Sequence, residues 1–303
     1  MPIKHILLAI LVAAVWGCNF IFVKLGVHEV PPLFLCSVRF FLASIPAIFF
    51  IRRPAVPFKM VILYGLVMFA LQFSLIFTGI AVGMTAGMAS LISQIQIFFS
   101  VFFAAVFIRE FPTIWQILGA LLSFSGIGLA AMHLDSNMTL AGLLLVIAAS
   151  ATWGVGNLIT KKLSHVNMVS LVVWGSFVSF PPLLALSLLV EGQERIVYTL
   201  HHFSWVAVIS LIYIVYMSTW VGYGVWNWLL SRYPVTNVVP FTLLVPIFAM
   251  LGSTLFMGET FESWKMAVSA LVIAGLCVNL IVPYMIARKK TVLSTENICT
   301  EST

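Results

Sequence analysis

Apolar residues run through the chain in long blocks, broken by short polar clusters. The blocks cover about residues 6–25, 32–51, 60–82, 86–108, 113–132, 141–160, 168–190, 204–230, 236–257 and 263–284, and the breaks fall at charged residues, Pro and Gly. About 20 consecutive apolar residues make a helix that crosses the ~30 Å hydrocarbon layer. Backbone groups in lipid must bond to one another, so such blocks are helices. The pattern predicts an all-α integral membrane protein with ten transmembrane helices. Residues 291–303 are polar and lack a packing pattern, which predicts a disordered tail.

Composition agrees. The chain is 62% hydrophobic and 8% charged, with mean hydropathy +1.14, whereas soluble domains carry about 25% charged residues. Placing the N-terminus in the cytoplasm puts Lys4, Arg52, Arg53, Lys59, Arg109, Lys161, Lys162, Arg232, Arg288, Lys289 and Lys290 on the inner face. Lys24, Arg195 and Lys265 fall on the outer one. Cytoplasmic loops collect Lys and Arg, so both termini are expected in the cytoplasm and the chain in a bacterial inner (plasma) membrane. The net charge of +6 is then a record of topology, with no nucleic-acid partner implied. No small-x-small site follows the first apolar block, so that block reads as a span and not a cleaved signal. Cys18, Cys36, Cys277 and Cys299 show no metal spacing, and no metal or cofactor is expected.

The chain also repeats itself. Trp16, Gly17 and Lys24 match Trp153, Gly154 and Lys161 at an offset of 137. Glu110, Trp115 and Gly126 match Glu259, Trp264 and Gly275 at an offset of 149, and Pro46 corresponds to Pro182. Two halves follow, residues 1–135 (spans 1–5) and 136–287 (spans 6–10), with a cytoplasmic tail at 288–303. Five is odd, so the second half enters the membrane from the opposite side. An inverted-topology repeat around a central cavity is how many secondary transporters are built, with substrate bound near the midplane.

The segments "VWGCNFIFVKLG", "PPLFLCSVRFFLASIPAIFF", "RRPAVP", "TAGMASLISQIQIFF", "VGYGVWNWLLSRYPV" and "LLVPIFAMLGSTLFMGE" carry a resemblance over roughly residues 6–285. The chain resembles the EamA family of the drug/metabolite transporter superfamily. The resemblance implies two EamA repeats of five helices, a central cavity, and export of amino acids or related small metabolites of the cysteine and O-acetylserine kind.

Polar residues inside spans mark candidate sites, because an amide or charge in hydrocarbon needs a partner. Trp16 with Asn19, and Trp153 with Asn157, each share a helical face. They line the cavity, or they tie neighbouring helices. Gln72 and Gln94 lie mid-span and carry the same two readings, whereas Gln96 is expected to tie helices. Tyr223 lies deeper than Trp226 and Trp228, which fit an interfacial belt. Arg39, the only charge well inside a span, sits ~11–12 Å from the span end at 1.5 Å per residue. It attracts a substrate carboxylate or snorkels outward.

Lys24 and Glu259 share one membrane face, and Lys161 and Glu110 the other. Each pair is expected to gate its side, against the plainer reading of solvated loop charges. No carboxylate lies deep in a span, so proton coupling would need Glu110, Glu259, Asp135 or a surface His. HExxH, GxSxG and P-loop motifs are absent, so the chain is expected to be a transporter of a small molecule and not a membrane enzyme. Import or facilitated passage of another metabolite or drug is the alternative to export.

Overall fold

The computed structural model describes residues 1–109, 111–133, 138–163, 166–233, 241–242, 244–258 and 262–278. It is all-helical, with no strand among the described residues. Eight helices are long and apolar enough to cross a membrane: Ile3–Glu29, Pro32–Phe49, Phe58–Ala81, Ala86–Phe107, Ile114–Ala131, Leu140–Thr160, Met168–Val190 and Trp205–Trp226. They are spans 1 to 8. Two shorter apolar helices, Leu244–Met257 and Ser263–Val278, stand where spans 9 and 10 are expected. The chain is a multi-pass membrane protein.

Helix starts follow local chemistry. Pro32 opens span 2 at a position where its missing N–H costs nothing. The side chains of Thr85, Asn167 and Ser204 each accept a bond from a backbone N–H one turn on. Thr113 and Gln116 close a capping box ahead of span 5. One helix lies outside the expected ten. Gln193–His201 occupies a connection that is otherwise polar, and it buries Ile196 and Thr199.

Packing exchanges partners between the halves. Span 1 lies on span 9, and span 4 lies on span 6; spans 2 and 7 pack along each other. The first two contacts are one crossing made twice. A Cβ on Gly17 would stand 2.5 Å from Cβ of Phe248 and 2.8 Å from the Val245 carbonyl. A Cβ on its counterpart Gly154 would stand 2.7 Å from Cβ of Phe99 and 2.9 Å from the Ser100 amide. Phe99 and Phe248 are themselves 149 positions apart, the second of the two offsets that relate the halves.

Spans 5 and 10 meet each other the same way. Gly126 faces Val268 and Leu271, Gly275 faces Gly119 and Ser123, and the Ser123 hydroxyl donates to the Val272 carbonyl at 3.1 Å. Higher numbers on one helix meet lower numbers on the other, so these two counterparts run antiparallel.

Lipid gives apolar side chains no reason to leave it, so helices associate through small residues and close backbones. Buried serines fit that need. Ser93, Ser150 and Ser176 each donate to a carbonyl one turn back and leave no unpaired proton. Large apolar side chains such as Phe102, Leu121, Leu189 and Phe256 point outward.

Gly17→Ala and Gly154→Ala should each lower stability by about 1–3 kcal/mol, because neither backbone crossing has room for a methyl group. Gly128→Ala, at a glycine with nothing within 4 Å, should be neutral. Thermal unfolding in detergent micelles, followed by size-exclusion chromatography, checks all three.

Candidate functional site

The apolar blocks of spans 2, 3 and 8 enclose one cation. Arg39 is 2% exposed. Its guanidinium lies over the Phe73 ring at 4.2 Å, with Phe40 and Phe77 at 5.5 and 5.8 Å. Nη2 donates to Thr219 Oγ1 at 3.3 Å. The Thr219 hydroxyl has already committed its proton to the Ile214 carbonyl, five residues back, at 2.9 Å, so toward Arg39 it can only accept. Arg39 Nε and Nη1 are buried and unpartnered. Arg39 makes no ion pair among the described residues.

That five-residue bond belongs to a π-helical stretch, Tyr213–Gly222, in the middle of span 8. A second π-helical stretch, Gly65–Leu71, interrupts span 3, the counterpart of span 8. π-helical stretches are rare and are frequent at functional sites. The stretch in span 8 is also where span 1 attaches. Trp16 Nε1 donates to the Ser218 carbonyl at 3.1 Å, and the Tyr213 hydroxyl to the Val15 carbonyl at 3.0 Å. Gly222 makes this possible, since a Cβ there would stand 2.5 Å from Trp16 Nε1. The Trp16 ring packs at 5.4 Å from Tyr223 and 5.2 Å from Trp226. Tyr223 lies within electrostatic reach of both Arg39 and the buried Tyr64.

The structure therefore brings Trp16, Arg39 and Tyr223 onto one stretch of span 8. Two further candidates present buried oxygens without partners, Asn19 Oδ1 and Gln72 Oε1. Gln72 follows the π-helical stretch of span 3 and is 3% exposed. Gln94, 4% exposed, lies where span 4 tightens into a turn between Ala86–Ser93 and Gln96–Ile108.

The pair in the second half behaves differently. Asn157 Nδ2 donates to Gln96 Oε1 at 2.6 Å and to Ser100 Oγ at 2.9 Å, which joins span 6 to span 4. Trp153 is partly buried against the main apolar core. Lys24 Nζ donates to the carbonyls of Ile80 and Met84 at 3.2 and 3.3 Å, at the end of span 3. Glu110, Glu259 and the side chain of Lys161 lie outside the described residues.

Two contributors gave no signal in the sequence. Thr219 is a small hydroxyl in an apolar helix. Glu191, at the end of span 7, accepts from the backbone N–H groups of Leu33 and Phe34 at 2.8 and 3.0 Å, and from the Ser187 hydroxyl at 2.7 Å. It caps the first turn of span 2 from another helix. At the opposite end of the same two spans, Trp174 Nε1 donates to the Ile51 carbonyl at 3.0 Å and the Ser170 hydroxyl to the Arg52 carbonyl. No cluster of three His, Cys, Asp or Glu suited to a metal occurs among the described residues.

A helical membrane bundle whose halves exchange equivalent contacts has the architecture of many small-molecule transporters. The model of the EamA-like transporter family matches residues 3–132 and 140–281, and the chain belongs to that family. A Salmonella typhimurium protein named "Probable amino-acid metabolite efflux pump" is 37% identical over 286 residues, covering 92% of this chain and 95% of its own. An Escherichia coli protein of the same name is 35% identical over 287 residues, with the same coverage. A solved structure described only as the crystal structure of a protein aligns with a TM-score of 0.63 at 15% identity, over 92% of this chain and 96% of that one. That likeness speaks to the fold.

Glu191→Ala should destabilise the protein by about 0.5–2 kcal/mol, the range for a lost helix cap. Glu191→Gln, which keeps one acceptor oxygen, should cost less. Denaturant titration in detergent, read from tryptophan fluorescence, measures both.

Proposed function

We propose that the chain exports amino acids or related small metabolites from the cytoplasm by alternating access. In this reading it lies in the bacterial inner membrane with both termini inside. Substrate meets Arg39 through a carboxylate, with Trp16 and Tyr223 as the wall beside it. The carrying observation is the pair of buried, unpartnered Arg39 nitrogens next to that aromatic contact. Burying a charge costs several kcal/mol unless it is paired. A carboxylate would complete Arg39 with short charge-assisted bonds in place of water. The names of the relatives support amino-acid metabolites as cargo and efflux as direction.

Asn19, Gln72, Gln94, Trp153 and Asn157 complete the proposed lining. Asn157 has the weakest case, since its amide already binds Gln96 and Ser100. Lys24 with Glu259, and Lys161 with Glu110, remain the proposed gate pairs. Exposed ion pairs are worth only about 0–1 kcal/mol, so helix packing does most of the closing.

Counterflow in proteoliposomes tests the reading, with labelled cysteine, O-acetylserine, threonine, lysine and aromatic amino acids as the panel. Arg39→Gln should lower kcat/KM at least ~10-fold, the size of one lost charged hydrogen bond of ~1.5–3 kcal/mol, while the variant stays monodisperse. No movement of any panel member by the wild type sinks the cargo assignment. For the gates, Lys24→Glu combined with Glu259→Lys should restore transport lost in each single variant.

A further inference from the structure

Taking the transporter reading of the Arg39 site as its basis, we infer that the preferred cargo is a monoanion, an amino-acid derivative that keeps its carboxylate but whose amine is acylated or absent. The argument is one of charge count. Asp and Glu are missing from residues 30–109, 136–190 and 195–258. Arg39 is therefore the one charge in the span interiors, and no acid on those helices can offset it.

Glu191 is the acid that faces span 2. Its carboxylate is held by the Leu33 and Phe34 amides and the Ser187 hydroxyl, ~9 Å along the helix from Arg39 at 1.5 Å per residue. The other neighbours of Arg39 are neutral: Thr219, Cys36, Tyr223 and the rings of Phe40, Phe73 and Phe77.

A carboxylate entering this site cancels the guanidinium. A free amino acid brings an ammonium as well, which then has no counter-charge and lies close enough to Arg39 to be repelled. The groups left to receive it are the faces of Trp16, Tyr223 and Trp226 and the unpaired oxygens of Asn19 and Gln72. Ring faces and two neutral amide oxygens together return less than the hydration an ammonium gives up on burial beside another cation, so the ammonium is a net penalty. Acylating the amine removes it.

The same count supplies a driving force. The chain has no carboxylate in its span interiors to relay protons and no P-loop. A monoanion leaving a cell that is negative inside needs neither, because ~100 mV alone favours its exit roughly fiftyfold.

The test uses the purified full-length chain in proteoliposomes, with a potassium diffusion potential set by valinomycin. The probes are labelled methionine, N-acetylmethionine and methioninamide, which are neutral overall, anionic and cationic. N-acetylmethionine should show a kcat/KM at least ~10-fold above methionine, and methioninamide should not move. Efflux of N-acetylmethionine should rise with inside-negative potential, while that of methionine stays flat. Arg39→Gln should bring the ratio toward one, and Arg39→Lys should keep it. Thr219→Glu, which sets an acid beside Arg39, should depress the anion more than the zwitterion.

Equal transport of methionine and N-acetylmethionine, insensitive to potential, overturns the charge preference and leaves the exporter reading intact. Movement of none of the three fails that reading and this inference together. A ratio retained in Arg39→Gln overturns the role of Arg39. The wild-type ratio decides the preference even where a variant does not fold.

Discussion

Helices in lipid have no water to flee, and the rest of this structure depends on that constraint. Contact between spans has to come from backbones that nearly touch and from polar groups that pair across the gap. Gly17 against Phe248 and Gly154 against Phe99 meet the first need at equivalent places in the two halves. The Ser123 hydroxyl on Val272, beside Gly126 and Gly275, meets both at once where spans 5 and 10 cross. Equivalent contacts made with exchanged partners leave each half incomplete without the other.

Within that frame, spans 3 and 8 stand out because their helices loosen midway. A π-helical stretch lets side chains leave the regular α register, and span 8 uses it to offer a carbonyl to Trp16 and a hydroxyl to Arg39. Spans 1 and 2 thus report to the same few residues. Arg39 is held there by one neutral hydrogen bond and by aromatic faces, and part of its hydrogen-bonding capacity stays unspent. Among the described residues nothing else pairs with it.

Much of this was legible in the sequence, for physical reasons that differ by feature. Spans 1 to 8 follow from hydropathy because a bilayer demands ~20 apolar residues in a row. The repeat shows in the sequence because Trp, Lys and Glu rarely match by chance in apolar sequence; the family model matches two stretches, 3–132 and 140–281. Arg39 declared itself by cost. Side-chain partners were not legible. Asn19 and Asn157 look alike along their helices, yet one leaves its oxygen unpaired and the other binds Gln96 and Ser100. The difference lies in which helix stands opposite. Glu191 reads as an ordinary loop acid until folding carries it to the start of span 2, and Gln193–His201 is too short and too polar to register as a span.

The bonds between spans 2 and 7 have a mechanical meaning. Glu191 fastens one extremity of the pair, and Trp174 with Ser170 fastens the other. Two rods riveted at both tips resist scissoring and form one strut. Arg39 sits on that strut and Thr219 on the neighbouring span, which packs against it and accepts one hydrogen bond from the guanidinium. The guanidinium keeps two nitrogens open among the described residues while that bond holds, so the strut can take on a partner there without letting go of its neighbour.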